Sequence, residues 1–224
     1  MILKVNNLHK KYQHADGVIN ALDQINFEVK EGAFVTITGS SGSGKTTLLL
    51  SLAGLIKATS GEIYFRDFRI DKANDKELSD FRKNHVGFVM QTFALIPYLT
   101  AIENVMLPLA VSRLPDSQKY EAAMDLLKLV GLENRKNHLP KELSAGQQQR
   151  VAIARALINK PSLILADEPT GNLDPVLSKE ILDLLSDINK KQGITVLMVT
   201  HSPMAARYGT IQIQLQDGKI NSIT

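Results

Sequence analysis

The segment from Gly39 to Thr46, GSSGSGKT, combines residue types and a spacing that bind phosphate, and it matches the Walker A pattern. Its glycines allow backbone N–H groups to turn inward and approach phosphate oxygens closely. The Lys45 ammonium would reach the β- and γ-phosphates of a nucleotide, and the Thr46 hydroxyl would bind Mg²⁺. The sequence therefore predicts ATP and Mg²⁺ as cofactors, bound by Gly39, Ser40, Ser41, Gly42, Ser43, Gly44, Lys45, Thr46 and Thr47.

Two carboxylates, Asp167 and Glu168, follow the apolar run from Leu163 to Ala166, which is the Walker B pattern. Asp167 would hold Mg²⁺ directly or through water, and Glu168 would polarise the water that attacks the γ-phosphate. An Asp-Glu pair at the end of a strand is by itself more often a surface turn. Its combination with the phosphate loop favours the catalytic interpretation.

The segment from Leu143 to Arg150, LSAGQQQR, resembles the signature motif of the ABC-type ATPases, which separates that family from other Walker-motif proteins. Further family marks occur in the family's order. Gln91 follows a strand like the Q-loop glutamine, and GNLD from Gly171 to Asp174 is similar to the D-loop. His201 after Thr200 resembles the switch histidine, and Tyr12 resembles the aromatic residue that stacks on adenine. The resemblance covers essentially the whole chain.

The resemblance implies a role for each matching residue. Tyr12 would stack on adenine, and Gln91 would contact Mg²⁺ and the attacking water. His201 would contact the γ-phosphate and align Glu168 with that water, and Asp174 would cross a dimer interface. The catalytic residues would then be Lys45, Gln91, Glu168 and His201, and the metal ligands Thr46, Gln91 and Asp167.

The signature segment has its own physical interpretation. Ser144 and Gln147 form an S-x-x-Q capping box, so a helix should begin there with free N–H groups and positive partial charge. The phosphate loop already binds a nucleotide, so this is a second anion site. In the family two subunits pack head to tail, and each signature closes on the nucleotide of the other. The resemblance thus implies a homodimer in which Ser144, Gly146, Gln147 and Asp174 contact nucleotide.

Two positions depart from the family pattern. Ala145 replaces the first glycine of the usual Ser-Gly-Gly. Alanine would cost on the order of 1 kcal/mol if that backbone required a positive φ, and it would be nearly silent otherwise. We expect the silent case, because Ser144 and Gly146 remain. Ser202 stands where many members have Asp, and the sequence gives no physical account of that change.

The segment DEPTGNLD from Asp167 to Asp174 resembles one branch of the family, as does the segment from Gln91 to Val105. That branch contains ATPases of lipoprotein release, macrolide and peptide export and haem export, and the cell-division ATPase. The resemblance implies a subunit that drives a separate membrane permease by ATP-dependent dimerisation, with export, lipid extrusion or mechanotransmission as the output. The alternative is a non-transport regulator of the cell-division type.

An apolar stretch around Pro97 offers two interpretations. The residues Phe93, Leu95, Ile96, Tyr98 and Leu99 crowd into seven positions. They could form a buried seam of a subdomain, or a hydrophobic groove that receives a cytoplasmic helix of a permease. The sequence leaves both interpretations open.

These motifs need an α/β framework. Short apolar runs at Phe34–Thr38, Val86–Met90, Leu163–Ala166 and Thr195–Val199 predict buried strands of a mainly parallel sheet. The alternating run Ile211–Leu215 predicts a half-exposed edge strand, and runs at 2–8, 25–29 and 62–65 predict an antiparallel piece. Apolar stripes predict helices that end at Gly131 and Gly193, and a further helix should cover Thr47 to Leu55.

The fold class is therefore predicted as α/β, a P-loop NTPase core with an N-terminal antiparallel β subdomain and an inserted helical subdomain. We expect one ATPase domain over 1–224. Residues 1–90 and 159–224 would form the catalytic core with the β subdomain, and 91–158 the helical subdomain with the signature.

Composition narrows the function classes. The 224 residues are 44% apolar and 22% charged with a net charge of +3, as in an ordinary globular protein. No cysteine is present, which excludes disulfides, thiolate zinc sites and a cysteine nucleophile. No apolar run reaches the roughly 18 residues of a membrane span, so we expect a cytoplasmic chain held peripherally at the membrane by its permease. Charge is spread rather than clustered, which argues against nucleic acid as a partner.

Two rival classes fit less well. DNA-repair or ribosome-associated relatives usually carry a coiled-coil insertion or two ATPase cassettes in one chain, and neither is present. A small-molecule kinase could use the same phosphate loop, but the signature, D-loop and switch histidine argue against it. The transported substrate and the direction of transport do not follow from the sequence.

Overall fold

The computed structural model describes residues 1–14 and 17–224, whose strands form two sheets. The strands are β1 Leu3–His14, β2 Gly17–Val29, β3 Phe34–Thr38, β4 Ser60–Phe65, β5 Phe68–Arg69, β6 Val86–Met90, β7 Leu163–Asp167, β8 Thr195–Val199, β9 Ile211–Gln216 and β10 Lys219–Ile223. The helices are α1 Lys45–Leu52, α2 Asp75–His85, α3 Ala101–Met106, α4 Asp116–Leu129, α5 Ala145–Leu157, α6 Pro175–Gln192 and α7 Pro203–Ala206. Single 3₁₀ turns lie at Ile70–Lys72, Leu107–Leu109, Glu133–Arg135 and Pro140–Glu142.

The larger sheet has the strand order β10-β9-β3-β8-β7-β6, parallel except for β10, which is antiparallel to β9. Its central strands are apolar along their length because both faces are covered. Successive residues of β7 alternate between the two faces: Leu165 packs in the core cluster that contains α1, and Ile164 in the cluster that contains α6. One helix layer therefore lies on each face of the sheet.

The parallel strands have their carboxyl ends at one edge of this sheet, and the residues predicted to be functional come directly after those ends. The phosphate loop comes after β3, Gln91 after β6, Glu168 after β7 and His201 shortly after β8. Ligands of open α/β sheets bind outside the carboxyl ends of the strands. The topology alone therefore brings together residues as far apart in the chain as Gly39 and His201.

The smaller sheet is antiparallel with the order β2-β1-β4-β5. Leu3 at the start of β1 pairs with Val29 of β2 on one side and with Phe65 of β4 on the other. The buried apolar residues of this sheet belong to the same core cluster as α1. The antiparallel sheet is thereby fixed against the helix that begins in the phosphate loop.

Helices α3, α4 and α5 pack around a separate apolar cluster. Val105 of α3, Leu127 of α4 and Val151 of α5 are fully buried in it. The α3 helix starts in a capping box of Thr100 and Glu103. The α5 helix starts in a capping box of Ser144 and Gln147, as the sequence analysis above predicts. The signature segment thus forms the N-cap and the first turns of a helix that is packed along its length.

Local signals are mostly confirmed. The strands at 34–38, 86–90 and 195–199 have the predicted bounds, and α4 and α6 run up to the predicted glycine stops. Gly193 has φ 67° and caps α6, and Gly131 has φ 73°. The expected fold class, with a mainly parallel core and an antiparallel N-terminal sheet, is confirmed.

Three local expectations were wrong or incomplete. The strand at Ile211–Gln216 is not an edge strand, because β10 pairs with it on its outer side. The helix predicted for Thr47–Leu55 begins earlier, at Lys45, and ends at Leu52, before Gly54 at φ 62°. Helix α2 was not predicted, although the capping box of Asn74 and Glu77 is a sequence signal for its start.

No helix in the described ranges is both long enough and apolar enough to cross a membrane. The division into a core at 1–90 and 159–224 and a helical part at 91–158 stays a prediction. The separate cluster shared by α3, α4 and α5 supports it, although α5 also contributes residues to the cluster beneath β7.

Candidate active site

A cavity of about 850 Å³ opens at the carboxyl ends of the parallel strands. The phosphate loop, the residue after Asp167 and the residue after Thr200 all reach it, as do the β1–β2 hairpin and the β9–β10 turn. The residues that line it are Ile19, Asn20, Ala21, Ser41, Gly42, Gly44, Lys45, Thr46, Thr47, Glu168, His201 and Asp217.

The phosphate loop needs its glycines at two close approaches. Gly39 has φ 157°, and a Cβ there would collide with the carbonyl oxygen of Leu215 in β9. Gly44 has φ 99°, and a Cβ there would collide with the carbonyl oxygen of Ala21 in β2. Both sheets therefore press on the loop and fix its shape, and α1 begins directly after Gly44 with its N–H groups at the cavity.

Lys45 is 7% exposed, and its Nζ donates to the carbonyl oxygens of Gly39 at 2.9 Å and Ser40 at 2.7 Å. The ammonium therefore lies inside the curve of the loop, where it can meet a bound phosphate without a large movement. That Lys45 contacts the β- and γ-phosphates of a nucleotide stays a prediction from the Walker A spacing.

Thr46 and Asp167 meet across 121 positions of sequence. The Thr46 Oγ1 donates to Asp167 Oδ1 at 3.2 Å. Burial raises the pKa of Asp167, and the charge of Glu168 raises it further, whereas the Thr46 hydrogen bond and Lys45 lower it. Hydroxyl and carboxylate oxygens are ligands that Mg²⁺ prefers, so the pair fits this ion. A bound divalent cation would also offset the negative charge of the partly buried Asp167 carboxylate.

Glu168 and His201 form the second pair of the cavity. His201 Nδ1 lies 2.8 Å from Glu168 Oε2. Glu168 sits in the left-handed region at φ 45°, while its N–H donates to the carbonyl oxygen of Val199 at 3.0 Å. Such a backbone costs on the order of 1–3 kcal/mol and is typical of functional sites. The strain turns the carboxylate into the cavity, where His201 holds it.

Gln91 lies beside this cavity and contacts the D-loop. Its Nε2 is 3.4 Å from Asn172 Oδ1, and Asn172 Nδ2 donates to the Gln91 carbonyl oxygen at 3.0 Å. Gly171 makes room for it, since a Cβ there would lie 2.7 Å from Gln91 Nε2. Within the described residues the structure does not bring Gln91 into contact with Thr46 or Asp167, so its metal role stays a prediction.

The signature residues lie outside the cavity, at the N-terminus of α5. Ser144 Oγ accepts from the Gln147 N–H at 3.3 Å, and Gln147 Oε1 accepts from the Ser144 N–H at 3.0 Å. Asp174 caps α6 by accepting from the N–H groups of Val176 and Leu177. A Cβ at Gly146 would lie 3.0 Å from a methyl of Leu177, so the signature helix packs closely on the helix that Asp174 caps.

The two departures from the family pattern have local explanations. Ala145 is the first residue of α5 and has a right-handed helical backbone, so it needs no glycine. Ser202 caps α7, because its Oγ accepts from the Ala205 N–H at 3.4 Å. Serine and aspartate are similarly good N-caps, which accounts for serine at this position.

Tyr12 is not among the described residues that line the cavity, although its neighbour across the ladder, Ile19, is. It pairs with Ile19 in the β1–β2 ladder, so both side chains share a face, and Tyr12 is 40% exposed. Four lining residues were not predicted from the sequence: Ile19, Asn20, Ala21 and Asp217. The pair Asp217–Gly218 is a hairpin signal that the sequence contains. The sequence does not reveal that this turn contacts the phosphate loop, where the Gly218 N–H donates to the Ser43 carbonyl oxygen at 3.1 Å.

The apolar stretch around Pro97 is divided between the core and the surface. Leu95 packs against the cluster of α3, α4 and α5, whereas Tyr98 is 78% exposed. The fully buried Asn104 holds the segment: its Oδ1 accepts from the Ile96 N–H at 2.7 Å, and its Nδ2 donates to the Leu99 carbonyl oxygen at 2.9 Å. A fixed backbone therefore presents an aromatic side chain to solvent.

Comparison with known proteins agrees with this geometry. A family model described as ABC transporter matches residues 22–171. The chain is 45% identical over 223 residues to MJ0796 of Methanocaldococcus jannaschii, described as an uncharacterized ABC transporter ATP-binding protein, covering 98% of this chain and 95% of that protein. It is 46% identical over 200 residues to the ABC transporter ATP-binding protein YtrE of Bacillus subtilis, covering 89% and 87%.

Solved structures match over the whole chain. A dimeric post-hydrolysis state of the ATP-binding cassette MJ0796 bound to ADP and Pi has a TM-score of 0.92 at 43% identity, covering 100% of this chain and 98% of that one. A second dimeric structure of MJ0796, called a bacterial ABC transporter cassette, has the same TM-score at 44% identity, again covering 100% and 98%. The shared fold includes the strands whose ends carry the candidate active site.

Proposed function

Since this chain belongs to the ABC transporter family, in which it is an ATP-binding and ATP-hydrolysing subunit, we propose that ATP-driven pairing of two copies powers a separate membrane permease. The observation that carries the proposal is the cavity that Lys45, Thr46, Glu168 and His201 line together. The strand before Glu168 leads through the D-loop into α6, and α5, which carries the signature, packs against α6. ATP hydrolysis at this site would drive the permease by moving these elements and transmitting their movement to it.

The residues of the cavity divide the work of hydrolysis. Lys45, held inside the loop, stabilises charge on the β- and γ-phosphates. Glu168 accepts a hydrogen bond from the attacking water and polarises it. His201 fixes the Glu168 carboxylate through its Nδ1 and reaches the γ-phosphate with the rest of its exposed ring. Each step uses a side chain whose position the fold fixes.

Mg²⁺ would be held by the Thr46 hydroxyl and the Asp167 carboxylate. When bound it supplies charge neutralisation to the phosphate oxygens. Gln91 is proposed as a further ligand, and in this structure its amide contacts Asn172. At the other end of the nucleotide, Tyr12 is proposed to stack on adenine beside Ile19, its partner in the ladder.

The pairing of two copies would complete the site. The N-terminus of α5 has Ser144 exposed, Gln147 half-buried and Gly146 buried against Leu177, and Asp174 lies at the adjacent end of α6. We propose that this surface closes on the γ-phosphate held by the other subunit. Both MJ0796 structures are described as dimeric, which supports the arrangement.

We propose that the permease docks at the segment around Pro97, where Tyr98 is exposed on a backbone held by Asn104. This would hold the subunit at the inner face of the cell membrane. The output proposed from the branch resemblance is export, lipid or lipoprotein extrusion, or mechanotransmission. The alternative is a regulatory ATPase of the cell-division type acting on a membrane partner.

A trapping pull-down tests the permease. Tagged Glu168→Gln should bind ATP and scarcely hydrolyse it, so it should hold the closed pair and its partner during purification from detergent-solubilised membranes with ATP and Mg²⁺. Mass spectrometry should identify a multi-span membrane protein with a large extracytoplasmic domain, present with ATP and depleted without it. A clean pair with no membrane protein, repeated in several detergents, would contradict the permease proposal and favour a soluble regulatory ATPase.

A further inference from the structure

A buried glutamine of α5 is unexplained by the proposed site. Gln149 is 0% exposed and lies five residues after Ser144. Its Nε2 donates to the carbonyl oxygen of Pro169 at 2.5 Å and faces that of Met90 at 3.4 Å. A side chain of the signature helix therefore reaches both the last residue of β6 and the segment that follows β7.

These two carbonyls flank the proposed catalytic residues. Met90 is the residue before Gln91, and Pro169 is the residue after Glu168. The ladder between β6 and β7 ends at the pair Met90 and Asp167. Beyond that pair, the buried Gln149 connects the end of β6 to the segment after β7, and the exposed Asn172 connects to the carbonyl oxygen of Gln91. Gln149 thus replaces the ladder where the sheet stops.

The choice of glutamine at this position points to a specific use of its donor. Gln149 Oε1 is buried and has no hydrogen-bond partner within the described residues. An orphaned buried acceptor destabilises a fold, and an apolar side chain would avoid that cost. The amide N–H group must therefore supply something that an apolar side chain cannot.

We infer that Gln149 is a positioning residue for ATP hydrolysis: its amide fixes the backbone on either side of the cavity relative to the signature helix. It holds the loop of Gln91 and the loop of Glu168 at a set separation, and it makes both follow any movement of Ser144. The inference rests on the proposed roles of Gln91 and Glu168. Gln149 is fully buried and is not among the described residues that line the cavity, and it acts through the backbone.

The chain offers a matched control at the opposite edge of the same sheet. Asn189 of α6 is 7% exposed, and its Nδ2 donates to the carbonyl oxygens of Gly32 at 2.9 Å and Ile194 at 2.7 Å. Those residues precede β3 and β8, at the amino ends of the strands and away from the cavity. The same type of buried amide thus joins two loops with no catalytic residue nearby.

The test compares Gln149→Met, which keeps the length of the side chain and removes the donor, with Asn189→Leu in the purified full chain. Urea unfolding, affinity for a non-hydrolysable ATP analogue, and kcat and KM for ATP are measured for both. We expect both variants to be less stable. Only Gln149→Met should lose kcat, on the order of tenfold to a hundredfold, because a misplacement of about 1 Å has that effect. Analogue affinity should change by less than about threefold.

A second variant covers the case in which Gln149→Met does not fold. Gln149→Asn keeps the amide and shortens its reach, and it should lower kcat with analogue affinity preserved. If the folded variant loses no more kcat than Asn189→Leu, Gln149 is only structural and the inference is wrong. Glu168→Gln is assayed in parallel. Full hydrolysis by Glu168→Gln would overturn the proposed catalytic function itself, whereas an inactive Glu168→Gln leaves that function standing whatever Gln149 shows.

Discussion

Glu168 illustrates how single residues carry the function. It directly follows the buried strand β7, its backbone has φ 45°, and its carboxylate meets His201 at 2.8 Å. The sequence places a carboxylate at the end of a strand, but the left-handed turn is what directs that carboxylate into the cavity instead of the surrounding solvent. At this scale the chemistry is set by residue type and its direction by backbone strain.

Ala145 gives a prediction at the same scale. Because Ala145 begins α5 with a right-handed backbone, Ala145→Gly should leave the ATPase rate within about twofold of the parent. The unfolding free energy should fall by up to about 1 kcal/mol, since glycine loses more backbone entropy in a helix than alanine. Steady-state phosphate release and urea unfolding measure the two effects. A several-fold higher ATPase rate in the glycine variant would show that alanine restrains the signature.

At the scale of elements, α5 connects the parts of the site. Its first turn carries Ser144, its second turn carries Gln149, and Gly146 packs against Leu177 at the start of α6. Arg155, further along, donates to the carbonyl oxygen of Phe93 at 2.7 Å, and burial lowers the pKa of its guanidinium. One helix thus carries the signature at its N-terminus and contacts both the segments beside the proposed catalytic residues and the segment proposed to dock the permease.

The Asn104 contacts give a prediction for the docking segment. Asn104→Ala removes a fully buried amide that joins α3 to the carbonyl oxygens of Ile96, Leu99 and Thr100. Urea unfolding should show a loss on the order of 1–3 kcal/mol, because those backbone groups lose their partner. The control Asn221→Ala, an exposed amide on β10 that contacts Gln214, should lose less than about 0.5 kcal/mol. Equal losses in the two variants would show that the segment does not depend on Asn104.

At the scale of the whole molecule, the active site and the proposed docking surface belong to different clusters of the fold. The cavity lies at the sheet edge, whereas Tyr98 projects from the segment packed on α3, α4 and α5. Substitutions at the docking surface can therefore leave ATP hydrolysis intact. This separation is what allows the proposed coupling to be tested.

The double variant Tyr98→Ala/Leu99→Ala should keep the basal ATPase rate within about twofold and lose the membrane partner in the pull-down, because it removes apolar contact area far from the cavity. The control Ile223→Ala removes an exposed apolar side chain from β10, and it should retain the partner. Urea unfolding checks that both chains fold. Retained partner binding in the double variant would rule out this segment as the docking surface.

The sequence by itself determined the local chemistry and most of the elements. The loop from Gly39 to Thr46, the carboxylate pair at the end of β7 and the capping box at Ser144 each depend on residues within about eight positions of each other. In the structure they lie between β3 and α1, at the end of β7 and at the start of α5, as the sequence predicts. Buried central strands were equally clear, because a strand covered on both faces is apolar along its whole length.

Only the tertiary structure decided how these pieces meet. That Ile19 and Asp217 line the cavity, that Gln91 contacts Asn172, and that β10 covers β9 all depend on contacts between segments that leave no periodic pattern in either partner. The same holds for Gln149, which the sequence shows as one glutamine in a row of three. Its reach to Met90 and Pro169 exists only because the sheet ends there, and so the packing of α5 under two strand ends gives that residue its role.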